Sequence, residues 1–329
     1  MITDHLTSLA GDTLFICDGQ IYYMGDWLRR QGRKNTDGLT SIILTPENVQ
    51  GVAIGHADQE IMLFASDSDR TLWRVFHDQV PQFIATDVTF VSVRSNTHYD
   101  QASIWVGKID GSISQLDTSG ELMRVIRTTN LPPTYPVNLL FWQENIVMLG
   151  MDGLVYVANT KRRSLDRGID WVIRELDKLE IAKITLRSEY EKASVDMLDR
   201  KGKVYNLQIF DELFDQGRGL GFIFVEPQRI SPAFEVVIDL ASGEQHAVML
   251  TEKGHVYTTG SNEFGQLGRL VSFFNISPYK LELPPIGAIS AGDTYTNVVT
   301  QHKGELIRLG GVRLEKKDSP ISQVQHRCS

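Results

Sequence analysis

Residues able to do covalent chemistry are scattered along this chain without a recognisable catalytic arrangement. Its eight histidines are dispersed, and no nucleophile elbow, HExxH pair or phosphate-binding loop occurs. The glycine-rich string at Gly217–Phe222 has no lysine after it, so we interpret it as a loop. The two cysteines, Cys17 and Cys328, form no CxxC or Cys/His cluster. The sequence therefore predicts no catalytic residue, no metal site and no cofactor.

What remains is a set of polar and acidic residues that closely follow glycines. These side chains form hydrogen bonds and ion pairs, so their chemistry would be non-covalent contact. Six residues stand in such positions: Asp26, Glu244, Gln245, His246, Asp293 and Tyr295. Their roles depend on the elements that hold them.

The overall charge narrows the classes of partner. A formal net charge of −8 argues against nucleic acid, whose phosphates require a cationic surface, and suits a basic protein surface better. The N-terminus lacks a basic start and a long apolar run, and the most apolar stretches are too short to span a bilayer. With two widely separated cysteines, we expect a cytoplasmic protein without a transmembrane segment.

The chain repeats a unit of short strand, tight turn and second strand. Seven copies follow one another at intervals of 41 to 52 residues, and together they account for nearly all 329 residues. Six turns end in glycine, and one has arginine in that place. The turns lie at Gly19, Arg70, Gly111, Gly153, Gly202, Gly254 and Gly304. Glycine suits the positive φ of a hairpin turn, so we expect a longer or altered turn at Arg70.

Further strand signals lie before and after each hairpin, which gives four short strands per unit. Four-stranded units repeated at this period are typical of a β-propeller. We therefore predict an all-β fold, a seven-bladed propeller that forms a single domain over residues 1–329. Aromatic residues that follow the turns are predicted to pack between blades: Tyr22, Trp73, Tyr156, Tyr205 and Tyr257.

One unit identifies the kind of propeller. The stretch ASGEQHAVMLTEKGHVYTTGSNEFGQLG, Ala241–Gly268, closely resembles the repeat of the regulator of chromosome condensation family. The matching residues are Ala241, Gly243, His246, Gly254, Val256, Tyr257, Gly260, Asn262, Gly265, Gln266, Leu267 and Gly268. The next unit matches in part, with Tyr295 near the expected histidine, and the Gly-Gln-Leu-Gly tail is missing from the other six units. WD-repeat and kelch propellers are weaker alternatives, because no recurring Trp–Asp pair or double glycine is present.

The resemblance implies a protein that binds other proteins and exchanges guanine nucleotide on the small GTPase Ran or a relative. An exchange factor makes and breaks no covalent bond, so we expect no covalent chemistry. Whether the chain exchanges guanine nucleotide stays open. By motif position, the resemblance makes the six glycine-adjacent residues candidate contacts for the GTPase. For His246 two roles stay open, a hydrogen bond to the backbone beside the central channel or contact with a partner. Asn262 and Gln266 are expected to cap the turn after the third strand.

Other interpretations stay open. Most of the units lack the glycine motif of the family. This loss also fits a non-catalytic scaffold of the trafficking or ubiquitin-ligase type. A stand-alone propeller without a basic tail is compatible with a monomeric microbial effector in a host cell. The basic run Thr160–Trp171 is either a solvated loop or an insertion that touches an acidic partner or membrane phosphates. Cys328 is second from the last residue rather than fourth, so we expect no prenylation in this sequence.

Overall fold

The chain is described by a computed structural model. The described residues are 6–9, 12–17, 20–25, 40–42, 45–57, 60–76, 79–94, 102–126, 134–142, 145–159, 172–174, 179–188, 192–211, 222–269, 274–302 and 304–311. The chain divides into two compact units, unit 1 (Met1–Glu180) and unit 2 (Ile181–Ser329). That all 329 residues form a single domain stays a prediction.

Unit 1 holds four antiparallel sheets, which we number as blades 1 to 4. Blade 1 contains β1 (Leu6–Leu9), β2 (Asp12–Cys17), β3 (Gln20–Met24) and β4 (Thr40–Ser41). Blade 2 contains β5 (Val49–Ala57), β6 (Glu60–Asp67), β7 (Leu72–Val75) and β8 (Gln82–Ala85). Blade 3 contains β9 (Val88–Arg94), β10 (Ser103–Lys108), β11 (Ile113–Leu116) and β12 (Leu122–Ile126). Blade 4 contains β13 (Pro136–Trp142), β14 (Asn145–Gly150), β15 (Val155–Asn159) and β16 (Val172–Arg174).

Unit 2 holds blades 5 to 7. Blade 5 contains β17 (Ile181–Ser188), β18 (Lys192–Asp199), β19 (Val204–Asp211), β20 (Phe222–Phe224) and β21 (Gln228–Arg229). Blade 6 contains β22 (Val237–Ser242), β23 (His246–Thr251), β24 (Val256–Ser261) and β25 (Phe274–Lys280). Blade 7 contains β26 (Ile286–Ala291), β27 (Tyr295–Thr300) and β28 (Leu306–Gly310).

Seven sheets of consecutive antiparallel strands confirm the predicted all-β architecture and its seven units. The count of four strands per blade is correct for five blades only. Blade 5 gains β21, which pairs with β19 beside β20, and blade 7 has three strands within the described residues. Among the residues that the structure describes, no helix is long and apolar enough to cross a membrane.

The central hairpin turns hold their glycines at positive φ, as the repeat predicts. Glycine reaches this region without a steric penalty because it has no Cβ. The observed φ angles are 83° at Gly111, 78° at Gly153, 74° at Gly202, 77° at Gly254 and 59° at Gly304. Gly19 lies outside the described residues.

The expectation of an altered turn at Arg70 is wrong. Arg70 itself adopts a φ of 62°, and its N–H donates to the Asp67 carbonyl at 3.2 Å, the bond that glycine makes in other turns. The Asp67 carboxylate supports this turn by accepting the backbone N–H groups of Asp69 at 3.0 Å and Thr71 at 2.8 Å. The indole N–H of Trp73 donates to the same carboxylate at 2.9 Å. These bonds offset the cost of the left-handed conformation, which is about 1–2 kcal/mol for a residue with a Cβ.

Apolar side chains fill the space between consecutive blades within each unit. Trp105 of blade 3 packs with Tyr156 of blade 4, and both are fully buried. Tyr257 of blade 6 packs against a cluster that includes Leu198 of blade 5. The predicted inter-blade packing is therefore confirmed for Tyr156 and Tyr257. Each such buried side chain contributes about 1.5–3 kcal/mol from apolar burial, so the interfaces hold the turns of adjacent blades in fixed positions.

Candidate partner-binding surface

Two adjacent turns of blades 6 and 7 carry exposed residues from the predicted set. Glu244 and Gln245 lie in the turn between β22 and β23, and Asp293 lies in the turn between β26 and β27. The Glu244 N–H donates to the Asp293 carbonyl at 3.3 Å, so the two turns are joined through their backbones. All three side chains are exposed. We call these three residues the acidic corner.

Glycine permits this close approach. A Cβ on Gly243 would collide with the Gly292 carbonyl oxygen and with the His246 ring, and a Cβ on Gly292 would collide with the Tyr295 ring. The Gly243 N–H donates to the His246 carbonyl at 2.9 Å, and the Gly292 N–H donates to the Tyr295 carbonyl at 3.0 Å. Tyr295 thus holds in blade 7 the position that His246 holds in blade 6.

His246 connects blade 6 to blade 7 from inside the molecule. Its side chain is fully buried, and Nε2 lies 3.0 Å from the Thr296 hydroxyl oxygen. The Thr296 hydroxyl donates to the Gln266 carbonyl at 2.8 Å, so the histidine Nε2–H is the donor to Thr296. Burial, followed by the nearby positive charge of Arg187, lowers the pKa of His246 to about 3. The ring is therefore neutral at physiological pH.

Two of the predicted contact residues are buried. His246 is fully buried, and its side chain bonds to the Thr296 hydroxyl. Tyr295 is 3% exposed, and the Arg308 guanidinium lies 4.2 Å from the centre of its ring. Neither side chain is exposed in this conformation, and their contact roles stay predictions. Asp26 lies outside the described residues, so its contact role stays a prediction.

The glycine-rich loop after β24 is held by its own side chains, as predicted. Asn262 Oδ1 accepts the Leu267 N–H at 2.9 Å, and Asn262 Nδ2 donates to the Arg269 carbonyl at 2.8 Å. Gln266 Oε1 accepts the Phe264 N–H at 2.8 Å. Both amides are almost fully buried, so this part of the repeat motif serves the fold.

A buried carboxylate in blade 5 is a feature that the sequence patterns did not reveal. Asp196 on β18 is fully buried and accepts hydrogen bonds from Arg187 at 2.6 Å and Asn206 at 2.8 Å. It also accepts a hydrogen bond from the Ser242 hydroxyl of blade 6 at 2.8 Å. Ser242 lies directly before the turn that carries Glu244 and Gln245. The available signal was Asp196 between the apolar residues Val195 and Met197 of β18, since a buried charge requires partners. The network therefore joins blade 5 to the strand that positions the corner.

The exposed groups of the site are suited to non-covalent contact with another protein. Its exposed groups are two carboxylates and one amide on hydrogen-bonded turns, and the adjacent imidazole is buried and neutral. Within the described residues, no group of three or more His, Cys, Asp or Glu side chains is placed to hold a metal ion. Two carboxylates at fixed positions are suited to meet cationic groups of another protein.

Comparisons with known proteins place this site within a known repeat. Residues 237–266 match one model of the regulator of chromosome condensation (RCC1) repeat, and residues 253–299 match a second model of the same repeat. The first span lies in blade 6 and includes Glu244 and Gln245, and the second runs from blade 6 into blade 7 and includes Asp293.

Two curated relatives share part of the sequence. The X-linked retinitis pigmentosa GTPase regulator of Homo sapiens is 40% identical over 78 residues, which are 22% of this chain and 8% of that protein. The regulator of chromosome condensation of Mus musculus is 34% identical over 88 residues, which are 25% of this chain and 21% of that protein. The matched region is thus a small share of each relative's length.

A solved structure is similar over most of the chain. Prp20p from Saccharomyces cerevisiae, whose binding properties to Gsp1p and histones were studied with its structure, superposes with a TM-score of 0.58. The similarity covers 91% of this chain and 81% of that chain at 16% identity, so it shows the fold alone.

The seven sheets and this similarity define the class of protein, an all-β propeller of seven blades. Within this class, blades 6 and 7 match the RCC1 repeat, and the fold is similar to that of Prp20p.

Proposed function

We propose that the chain is a protein-binding propeller that acts on a small GTPase, as a Ran-type guanine-nucleotide exchange factor or activator. The observation that carries the proposal is the acidic corner, where Glu244 and Asp293 are exposed on turns joined by a backbone hydrogen bond. The comparisons support this proposal. One sequence relative is named a GTPase regulator, and the structurally similar Prp20p was studied for its binding to Gsp1p.

The mechanism follows from differential affinity. An exchange factor accelerates release when it binds the nucleotide-free GTPase more tightly than the loaded form. Loss of nucleotide and Mg²⁺ leaves a basic phosphate site without its anion. The carboxylates of Glu244 and Asp293 would complement that positive charge, and Gln245 would add a hydrogen bond at the rim. Because the turns are already fixed by the bonds around Gly243 and Gly292, little ordering would be required on binding.

Release of a fluorescent guanine nucleotide from a panel of small GTPases tests this proposal. We expect faster release from a Ran-type GTPase, and a reduction of about two- to fivefold for each of Glu244→Gln and Asp293→Asn. Glu252→Gln is the matched control, because Glu252 is exposed in blade 6 at the turn between β23 and β24. Failure to accelerate any GTPase, or an equal loss in the control, would contradict the exchange role.

The second candidate function is a scaffold that binds a protein partner other than a GTPase. The Gly-Gln-Leu-Gly tail occurs in one unit of seven, which is the observation that favours this alternative. Affinity capture with nucleotide-free and nucleotide-loaded GTPases distinguishes the two, since a scaffold for another partner would retain neither form. A cytoplasmic location and a role as a microbial effector in a host cell stay predictions that cell fractionation tests.

A further inference from the structure

Unit 1 contains a cavity that none of the acidic-corner residues lines. Its volume is about 470 Å³, within the range of about 300–1,000 Å³ that is usual for ligand sites. The connection from blade 1 to blade 2, the turn between β6 and β7, and the segment before β8 form its walls. Its main lining residues are Pro46, Glu47, Asp67, Asp69, Trp73 and Val80.

Trp73 is the aromatic wall of this cavity, and its orientation is fixed. Its indole N–H donates to Asp67 at 2.9 Å, and its ring makes an edge contact with Phe83 at 5.9 Å between centroids. Aromatic side chains also line the grooves that bind proline-rich peptides. The indole N–H of a tryptophan in such a groove can donate a hydrogen bond to the ligand when it has no other partner. In Trp73 that donor is already used, so the ring offers its surface and not a donor.

The charge of the lining complements a cation. Glu47 and Asp69 are exposed, the Asp67 carboxylate holds the Trp73 ring, and none of the lining residues described is basic. Val80 is 77% exposed at the same cavity, which leaves apolar surface for an aliphatic stem. Arginine combines these requirements, because its planar guanidinium stacks on aromatic rings and pairs with carboxylates while its methylene groups cover apolar surface.

We propose that this cavity binds an arginine side chain from a basic segment of a partner protein, with the guanidinium against Trp73 and beside Glu47 and Asp69. The family matches lie in residues 237–299, so they assign nothing to this cavity. The proposal does not depend on the acidic corner, since the cavity lies in the other unit.

A titration of the full chain with N-acetyl-arginine methylamide, followed by NMR at the indole N–H signals, tests the proposal. The chain has five tryptophans, and Trp73→Phe identifies the signal of Trp73 by its loss. We expect the arginine probe to shift this signal, and the citrulline analogue, which has the same shape without the charge, to leave it in place. Glu47→Gln and Asp69→Asn should each weaken binding about two- to fivefold.

Glu121→Gln is the matched control, because it removes an exposed carboxylate of unit 1 that does not line the cavity. It should bind the arginine probe as the unmodified chain does. The proposal is overturned if the arginine probe leaves the Trp73 signal unchanged, if citrulline shifts it equally, or if Glu121→Gln weakens binding as much as the cavity variants.

Discussion

The buried histidine beside the acidic corner should make the stability of unit 2 depend on pH. His246 is fully buried and donates through Nε2 to Thr296, so its folded state accommodates the neutral ring. Burial and the charge of Arg187 lower its pKa from the ordinary 6.5 to about 3. In the unfolded chain the same ring takes up a proton near its ordinary pKa. His246→Gln removes this difference, because the glutamine amide donates to Thr296 and does not titrate.

The sign and size of the effect follow from proton linkage. Between the folded and unfolded pKa values of His246 the unfolded chain binds more protons, so the free energy of unfolding falls as the pH falls. The contribution of the neutral ring is fully present above the unfolded pKa and decreases by about 1.4 kcal/mol per pH unit below it. From about pH 7 to about pH 5 the loss due to His246 is about 2 kcal/mol.

Urea unfolding of the wild type and His246→Gln at several pH values measures this effect. Other groups titrate equally in both chains, so the difference between the two curves isolates His246. We expect the variant to lose about 2 kcal/mol less than the wild type over this range. His302→Gln is the control, because the His302 side chain is exposed and should leave the pH dependence as in the wild type. Parallel curves for the wild type and His246→Gln would refute a buried neutral ring.

Four further variants, with Gly287→Ala as a comparison for one of them, test the architecture by urea unfolding. Arg70→Gly should stabilise the chain by about 0.5–1 kcal/mol and Gly153→Ala should destabilise it by about 1–2 kcal/mol, since both residues have positive φ. Asp196→Ala should cost about 3–5 kcal/mol because it leaves a partly buried arginine unpaired, and an unchanged midpoint would exclude this role. Gly243→Ala should cost about 2 kcal/mol or more through steric collision, whereas Gly287→Ala, whose nearest neighbour is 3.4 Å from the new Cβ, should change stability by less than about 1 kcal/mol.

The spacing of turn glycines was sufficient to predict seven antiparallel sheets, because a positive φ at a fixed position is a local requirement. The Arg70 turn shows where this logic stops. Its left-handed backbone is supported by the Asp67 carboxylate, which accepts the N–H groups of Asp69 and Thr71 and the Trp73 indole N–H, and a pattern of glycines alone does not include such side-chain bonds. The two-residue strand β21 was missed for a related reason, since two residues are too few to show an alternating pattern.

The candidate site was predictable in position but not in exposure. Motif spacing placed Glu244 and Asp293 at equivalent turns, and the backbone bond between those turns brings them together. The spacing could not show that the His246 ring folds back over Gly243, because this depends on the close approach of blade 7. The Asp196 network was missed because its partners are spread over two blades, with Ser242 46 residues away.

The residues that identify the repeat are the ones that a partner cannot reach. His246, Asn262 and Gln266 are buried, and Gly243 is a glycine because its neighbours leave no room for a Cβ. The same contacts hold the adjacent turns in place, so the motif specifies a rigid platform without specifying what binds to it. Partner choice must depend on exposed side chains that the motif leaves free, such as Glu244 and Asp293. Reversing the charges of both Glu244 and Asp293 should therefore keep the propeller folded and abolish binding of the proposed GTPase partner, whereas replacing the buried Gly243 should weaken both the fold and the binding.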